Sequence, residues 1–97
     1  MKILLLDDSR MIRLLQVRLL ETVFEDVTIV EVDHAYEAIK YLEKIDHGVD
    51  LFISDINLVG MDGLKGIKEI RTYNHLKDLM IVVCSSMAHY LYVEDAM

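Results

Sequence analysis

The sequence predicts an α/β protein built on a doubly wound parallel sheet, and three observations carry that reading. Short apolar runs rich in Leu, Ile and Val recur at residues 2–6, 27–32, 50–55 and 80–84, each of strand length, and the first is too continuous for a sheet wetted on one face. Between them lie stretches whose apolar residues recur at helical spacing. Strands alternating with helices through short connections form parallel neighbours, because a parallel pair needs a helical crossover.

Each element has its own signature. The first run, Ile3-Leu4-Leu5-Leu6, ends in Asp7-Asp8-Ser9. Ser9 can cap the helix that follows, since its hydroxyl can accept an unpaired N–H of the first turn. Met11, Ile12, Leu14, Leu15, Leu19 and Leu20 then predict an amphipathic helix to about residue 23, and Val27 to Val32 reads as a β-branched second strand. Ala35, Ala38, Ile39, Leu42 and Ile45 place a second helix over 35–46, stopped by His47-Gly48. The third strand, 50–55, delivers Asp55 to its carboxyl edge, and a loop holding Gly60 and Gly63 follows. A third helix is expected from Leu64 to Tyr73, with Leu64, Ile67 and Ile70 inward, then a loop over 74–79 and the fourth strand, ending in Cys84-Ser85-Ser86. Residues 87–97 read as the start of a helix, which would leave the fourth strand as an uncovered apolar edge.

Composition narrows the function classes. Ninety-seven residues make one domain, 1–97. A net charge of −7 argues against neutralising nucleic-acid phosphates and favours a basic partner surface or a bound cation. The apolar runs are far too short to span a membrane. No secretion leader precedes the first strand, and the single cysteine, Cys84, suits a reducing cytoplasmic compartment. Cys84 reads as a buried thiol, and His34, His47, His75 and His89 as solvated surface residues without ligand spacing.

Ligands of open parallel sheets bind outside the carboxyl ends of the strands. Asp7, Asp8 and Asp55 would meet there, and three ionised carboxylates repel unless a cation joins them. A hard ion such as Mg²⁺ suits that donor set, and Asn57 could add its backbone carbonyl. With the ion in place Asp55 is a plausible nucleophile toward a phosphoryl group, which Ser85 could hydrogen-bond. Asp62 reads as a turn residue before Gly63.

Asp7-Asp8 after the first strand, Asp55 opening a D-x-x-x-x-G-M-D-G loop, Glu37-Ala38 in the second helix and Val83-Cys84-Ser85-Ser86 ending the fourth strand together resemble the CheY-like receiver domain of bacterial two-component response regulators. The resemblance implies a flavodoxin-like sheet in the order 2-1-3-4. It implies Asp55 as phospho-acceptor, Asp8 and Asp55 as direct Mg²⁺ ligands with Asn57 through its carbonyl, Asp7 through water, and Ser85 as the switch hydroxyl. The partner would be a sensor histidine kinase or a phosphotransfer protein, and the domain would catalyse its own phosphorylation and dephosphorylation without being an enzyme in the turnover sense. Receivers continue for about one more strand and helix, carrying a lysine and an aromatic switch residue. The chain shows neither, which implies a receiver incomplete at its C-terminus, lacking the usual fifth strand and helix. Val59 stands where the family usually has proline. The competing expectations are a phosphorylation-incompetent module that dimerises through the bare fourth-strand edge, and a metal-dependent phosphohydrolase of similar topology, for which no general acid or substrate cap is found.

Overall fold

The computed structural model describes residues 1–55, 68–85 and 90–94, with residues 85 and 90–94 described by their backbone alone. The elements run β1 (Lys2–Leu6), α1 (Arg10–Val23), β2 (Thr28–Val32), α2 (Ala35–Glu43), β3 (Leu51–Asp55), a helical turn over residues 68–71, a 3-10 turn (Asn74–Leu76), β4 (Met80–Ser85) and β5 (Tyr90–Glu94). The sheet order is β2-β1-β3-β4-β5. Strands β2, β1, β3 and β4 are parallel neighbours in the expected order 2-1-3-4.

Alternation along β1 explains why the sheet needs covering on both faces. Leu4 and Leu6 join Phe52, Ile81 and Val83 in a core closed by Ala35, Ala38, Ile39 and Leu42 of α2. Ile3 and Leu5 point the other way, with Ile53, and pack against Val17, Leu20 and Phe24 on the α1 side. Successive strand side chains face opposite layers, so a run of unbroken apolar residues is the signature of a strand buried on both faces.

The helices depart from the sequence reading in how much they bury. Helix α1 starts on its Ser9 cap as expected, with Ser9 Oγ accepting the Ile12 N–H at 3.3 Å. No residue of α1 is fully buried, however, and Met11 and Leu19 stay 73% and 64% exposed. Its inward line is Val17 and Leu20, so most of the apolar stripe read from spacing faces away from the sheet. Helix α2 ends at Glu43, two residues before Ile45, because Lys44 already has extended backbone (φ −67°, ψ 129°). Ile45 is therefore 85% exposed rather than part of the core.

The tail corrects the sequence reading. Residues 90–94 form not a helix but an antiparallel strand on the outer edge of β4, with Val82 opposite Val93 and Ser85 opposite Tyr90. Tyr, Leu and Val favour strands, and an unpaired row of backbone N–H and C=O groups on β4 offers them a ladder. A fifth strand is thus present, antiparallel, and the bare β4 edge on which homodimerisation was expected is occupied by the chain itself. The third helix is described only at residues 68–71, where Ile70 is buried as expected; Leu64 and Ile67 lie outside the described residues. No helix among the described residues is long and apolar enough to cross a membrane.

Candidate functional site

Sheet register builds the site. Leu6 of β1 stands beside Ser54 of β3, so the next residue of each chain, Asp7 and Asp55, emerge as neighbours at the carboxyl edge. Asp8 follows at a bend just after β1. Asp7, Asp8 and Asp55 each offer a carboxylate oxygen within 4.8 Å of the others. Asp7 and Asp55 are only 4% and 7% exposed, while Asp8 is open to solvent. The three acids picked out by sequence are therefore brought together. Asn57 lies outside the described residues, and Ser85 is described only as the backbone terminus of β4.

Asp7 is the most constrained of the three. Its amide donates to the Val32 carbonyl at 3.2 Å, its Oδ1 accepts the Ser9 N–H at 2.8 Å, and its carbonyl accepts from Arg13 Nη1 at 2.5 Å. Burial pushes its carboxyl above the ordinary range. The Ser9 amide draws it down, the Asp55 and Asp8 charges push it up again, and Arg13 draws it down more weakly. Burial, then the charges of Asp55 and Asp7, likewise push the Cys84 thiol up. Its side chain is only partly buried, not the core thiol expected from sequence, because it faces the layer where no residue of α1 is fully buried.

Sequence reasoning passed over two participants. Arg13 lies on α1, and its Nε also meets Glu31 Oε1 of β2 at 3.3 Å, in a pair whose arginine is mostly buried. An arginine one helical turn past a capped start was the available signal, but nothing in spacing alone separates it from a solvated face. The histidines also do more than sit in water. His34 caps α2 by accepting the Tyr36 N–H, and half-buried His47 accepts the Val49 N–H.

The donor chemistry fits a divalent cation. All three groups are hard oxygen donors, two are shielded from water, and the like charges that raise Asp7 would be relieved by a positive ion. Mg²⁺, oxygen-seeking and content with one or two carboxylates plus waters, matches that set.

Comparison with known proteins agrees with the architecture. Residues 3–97 match the response regulator receiver domain model, and the chain belongs to that family of two-component signalling modules. It is 35% identical over 89 residues to the chemotaxis protein CheY1 of Helicobacter pylori, an alignment spanning 89% of this chain and 68% of that protein. Among solved structures it resembles a chain in the crystal structure of the histidine kinase ThkA in complex with the response regulator protein TrrA (32% identity, TM-score 0.74, 92% of this chain and 72% of that one). It also resembles the Mn²⁺-bound form of the response regulator Rcp1 (26% identity, TM-score 0.75, 92% of this chain and 67% of that one). The chain thus spans about two thirds of the length of these relatives.

Proposed function

We propose that the domain is a phosphorylation-dependent signalling switch in which Asp55 accepts a phosphoryl group from a histidine of a sensor kinase or phosphotransfer protein. The observation that carries this is the convergence of Asp7, Asp8 and Asp55 at the carboxyl edge of a parallel sheet. The structural neighbour solved with a histidine kinase supports a donor of that class.

Asp8 and Asp55 would hold Mg²⁺, with Asp7 assisting through water and Asn57 through its backbone carbonyl. Bound there, the ion supplies charge neutralisation for the phosphoryl oxygens. A structural neighbour, the response regulator Rcp1, was solved in a Mn²⁺-bound form, which supports divalent-ion binding by a domain of this fold. An Asp55 carboxylate oxygen forms the new bond to phosphorus as the phosphorus–nitrogen bond of the donor breaks. The electron pair of the broken bond stays on nitrogen, and because the donor's other ring nitrogen carries a proton, a neutral imidazole departs. Asp55 ends β3 in register with Cys84 of β4 and is 7% exposed, so its carboxylate is held at one position, which favours in-line attack. Ser85 at the tip of β4 would hydrogen-bond the transferred group and pull the β4 edge toward it, shifting the population of a protein-binding surface. A single cysteine suits a reducing, cytoplasmic setting.

Incubation with acetyl phosphate and Mg²⁺, followed by intact mass measurement, tests the reading. Wild type is expected to gain one phosphoryl group, while Asp55→Asn and wild type with chelator gain none. An unmodified wild type that nevertheless binds Mg²⁺, or an Asp55→Asn variant labelled as fully as wild type, overturns it.

A further inference from the structure

Two adjacent residues of an extended chain point to opposite faces, so Asp7 and Asp8 can converge with Asp55 only if the peptide joining them turns out of strand geometry. The chain does bend at Asp8. The carbonyl of that same peptide is the one that Arg13 Nη1 grips, at 2.5 Å. The amide on the other side of Asp7 is pinned to Val32 and its carboxylate to Ser9, which leaves the Asp7–Asp8 peptide plane as the remaining freedom. Arg13 is in turn aimed by Glu31 on β2, 3.3 Å from its Nε. The guanidinium fork thus spans from α1 to β2 across the end of β1, and its two contacts require its planar, multi-donor geometry.

From this geometry we infer that Arg13, oriented by Glu31, is a positioning residue that sets the angle between the Asp7 and Asp8 carboxylates and so the affinity of the site for its divalent ion. The inference rests on the metal-site reading above. Partners that orient a ligand without touching the metal commonly shift its affinity by about 10–100-fold when removed. Here the lever is a backbone plane, and the lower end of that range is expected.

The sign of the effect separates positioning from charge. A cation beside the acids opposes a second cation by simple repulsion. If charge alone mattered, Arg13→Met would tighten Mg²⁺ binding and Arg13→Lys would leave it as in wild type. Positioning predicts the reverse for Arg13→Met, a loss of about tenfold measured by isothermal titration of Mg²⁺, with Arg13→Lys intermediate because it keeps one donor. Glu31→Ala, which leaves the guanidinium in place but unaimed, is expected to lose about threefold and serves if Arg13→Met fails to fold. A second reading needs no metal. The Asp8 amide resonance of the ion-free protein should move in Arg13→Met and Glu31→Ala, because it belongs to the gripped peptide. Unchanged or tighter Mg²⁺ binding in folded Arg13→Met, or in Glu31→Ala with an unmoved Asp8 amide, overturns the inference while leaving the phospho-acceptor reading intact. A wild type that binds no Mg²⁺ at all overturns both.

Discussion

The two ends of the parallel strands are built on opposite electrostatic plans. At the amino end, Lys2 Nζ donates to the His47 carbonyl at 2.7 Å and lies over the Tyr41 ring, 5.0 Å from its centre. Lys2 and Asp50 exchange two bonds of 2.8 Å, one of them to the Asp50 side chain. His47 accepts from Val49, and His75 Nε2 meets the Leu42 carbonyl at 2.9 Å. Cations there are spread among carbonyls and rings. At the carboxyl end, Asp7, Asp8 and Asp55 crowd like charges together, and two of those carboxylates are shielded from water. A fold selected for stability alone would not leave such a cluster. The register of β1 against β3 forces the acids together, because Leu6 beside Ser54 makes Asp7 and Asp55 neighbours, and the contacts of Ser9 and Arg13 to Asp7 hold them there without neutralising the cluster.

The largest test of this contrast removes packing while sparing the polar seam. Leu42 is fully buried in α2, and its carbonyl is the one His75 meets. Leu42→Ala should cost about 2–5 kcal/mol, the usual range for such a truncation in a core. Denaturant unfolding would report it. The seam contributes far less, on the order of 1 kcal/mol for each hydrogen bond. Should Leu42→Ala cost no more than His47→Gln, the amino end would be held by its polar bonds rather than by the core beneath them.

The two ends should also answer pH with opposite slopes. Asp7, raised above its ordinary 3.8 by burial first, favours the folded state while neutral. That contribution is fully present below 3.8 and is lost as pH rises through the raised value. His47, lowered from 6.5 by burial first, then by the neighbouring His75 and Lys2 charges, favours the folded state while neutral too. Its contribution is fully present above 6.5 and is lost as pH falls toward the lowered value. In ion-free protein, Asp7→Asn should remove the first slope and raise stability at pH 7, by about 1 kcal/mol, the lower end for unit charges some 4 Å apart when one of them, Asp8, is solvated. His47→Gln should remove the second slope and leave the first. Melting curves across this pH range check both, and the same slope surviving in both variants, rather than a different one in each, would break the contrast.

How much of this was legible in the sequence follows the same division. The strands of the core, their order as implied by resemblance and the three acids could be read because buried parallel strands and their polar tips leave dense local patterns, as at Ile3 to Asp8. Helix α1 misled because periodicity reports that an apolar stripe exists, not what covers it, and Met11 and Leu19 face outward. The tail misled because the β-forming Tyr90 to Val93 gain their meaning only from pairing with β4, a long-range fact that no local window contains. Arg13 escaped for the same reason. Its meaning depends on Glu31 and on the Asp7 carbonyl, neither of them next to it on a helix face.

The smallest effect is expected at the turn leading into β2, on the amino-end side of the comparison. Asp26 has φ +53°, the left-handed region that costs a side chain bearing a Cβ, and the Met1 ammonium donates to its carbonyl at 3.4 Å. Asp26→Gly relieves that backbone cost but adds freedom to the unfolded chain, and the two effects oppose each other. The backbone carbonyl, and with it the contact to Met1, is retained. The net should be a gain below about 1 kcal/mol, read as a rise of a few degrees in the unfolding midpoint at constant pH. A drop instead would mean that the Asp26 side chain itself supports the turn, which would make the amino end more dependent on its polar groups than the packing of Leu42 implies.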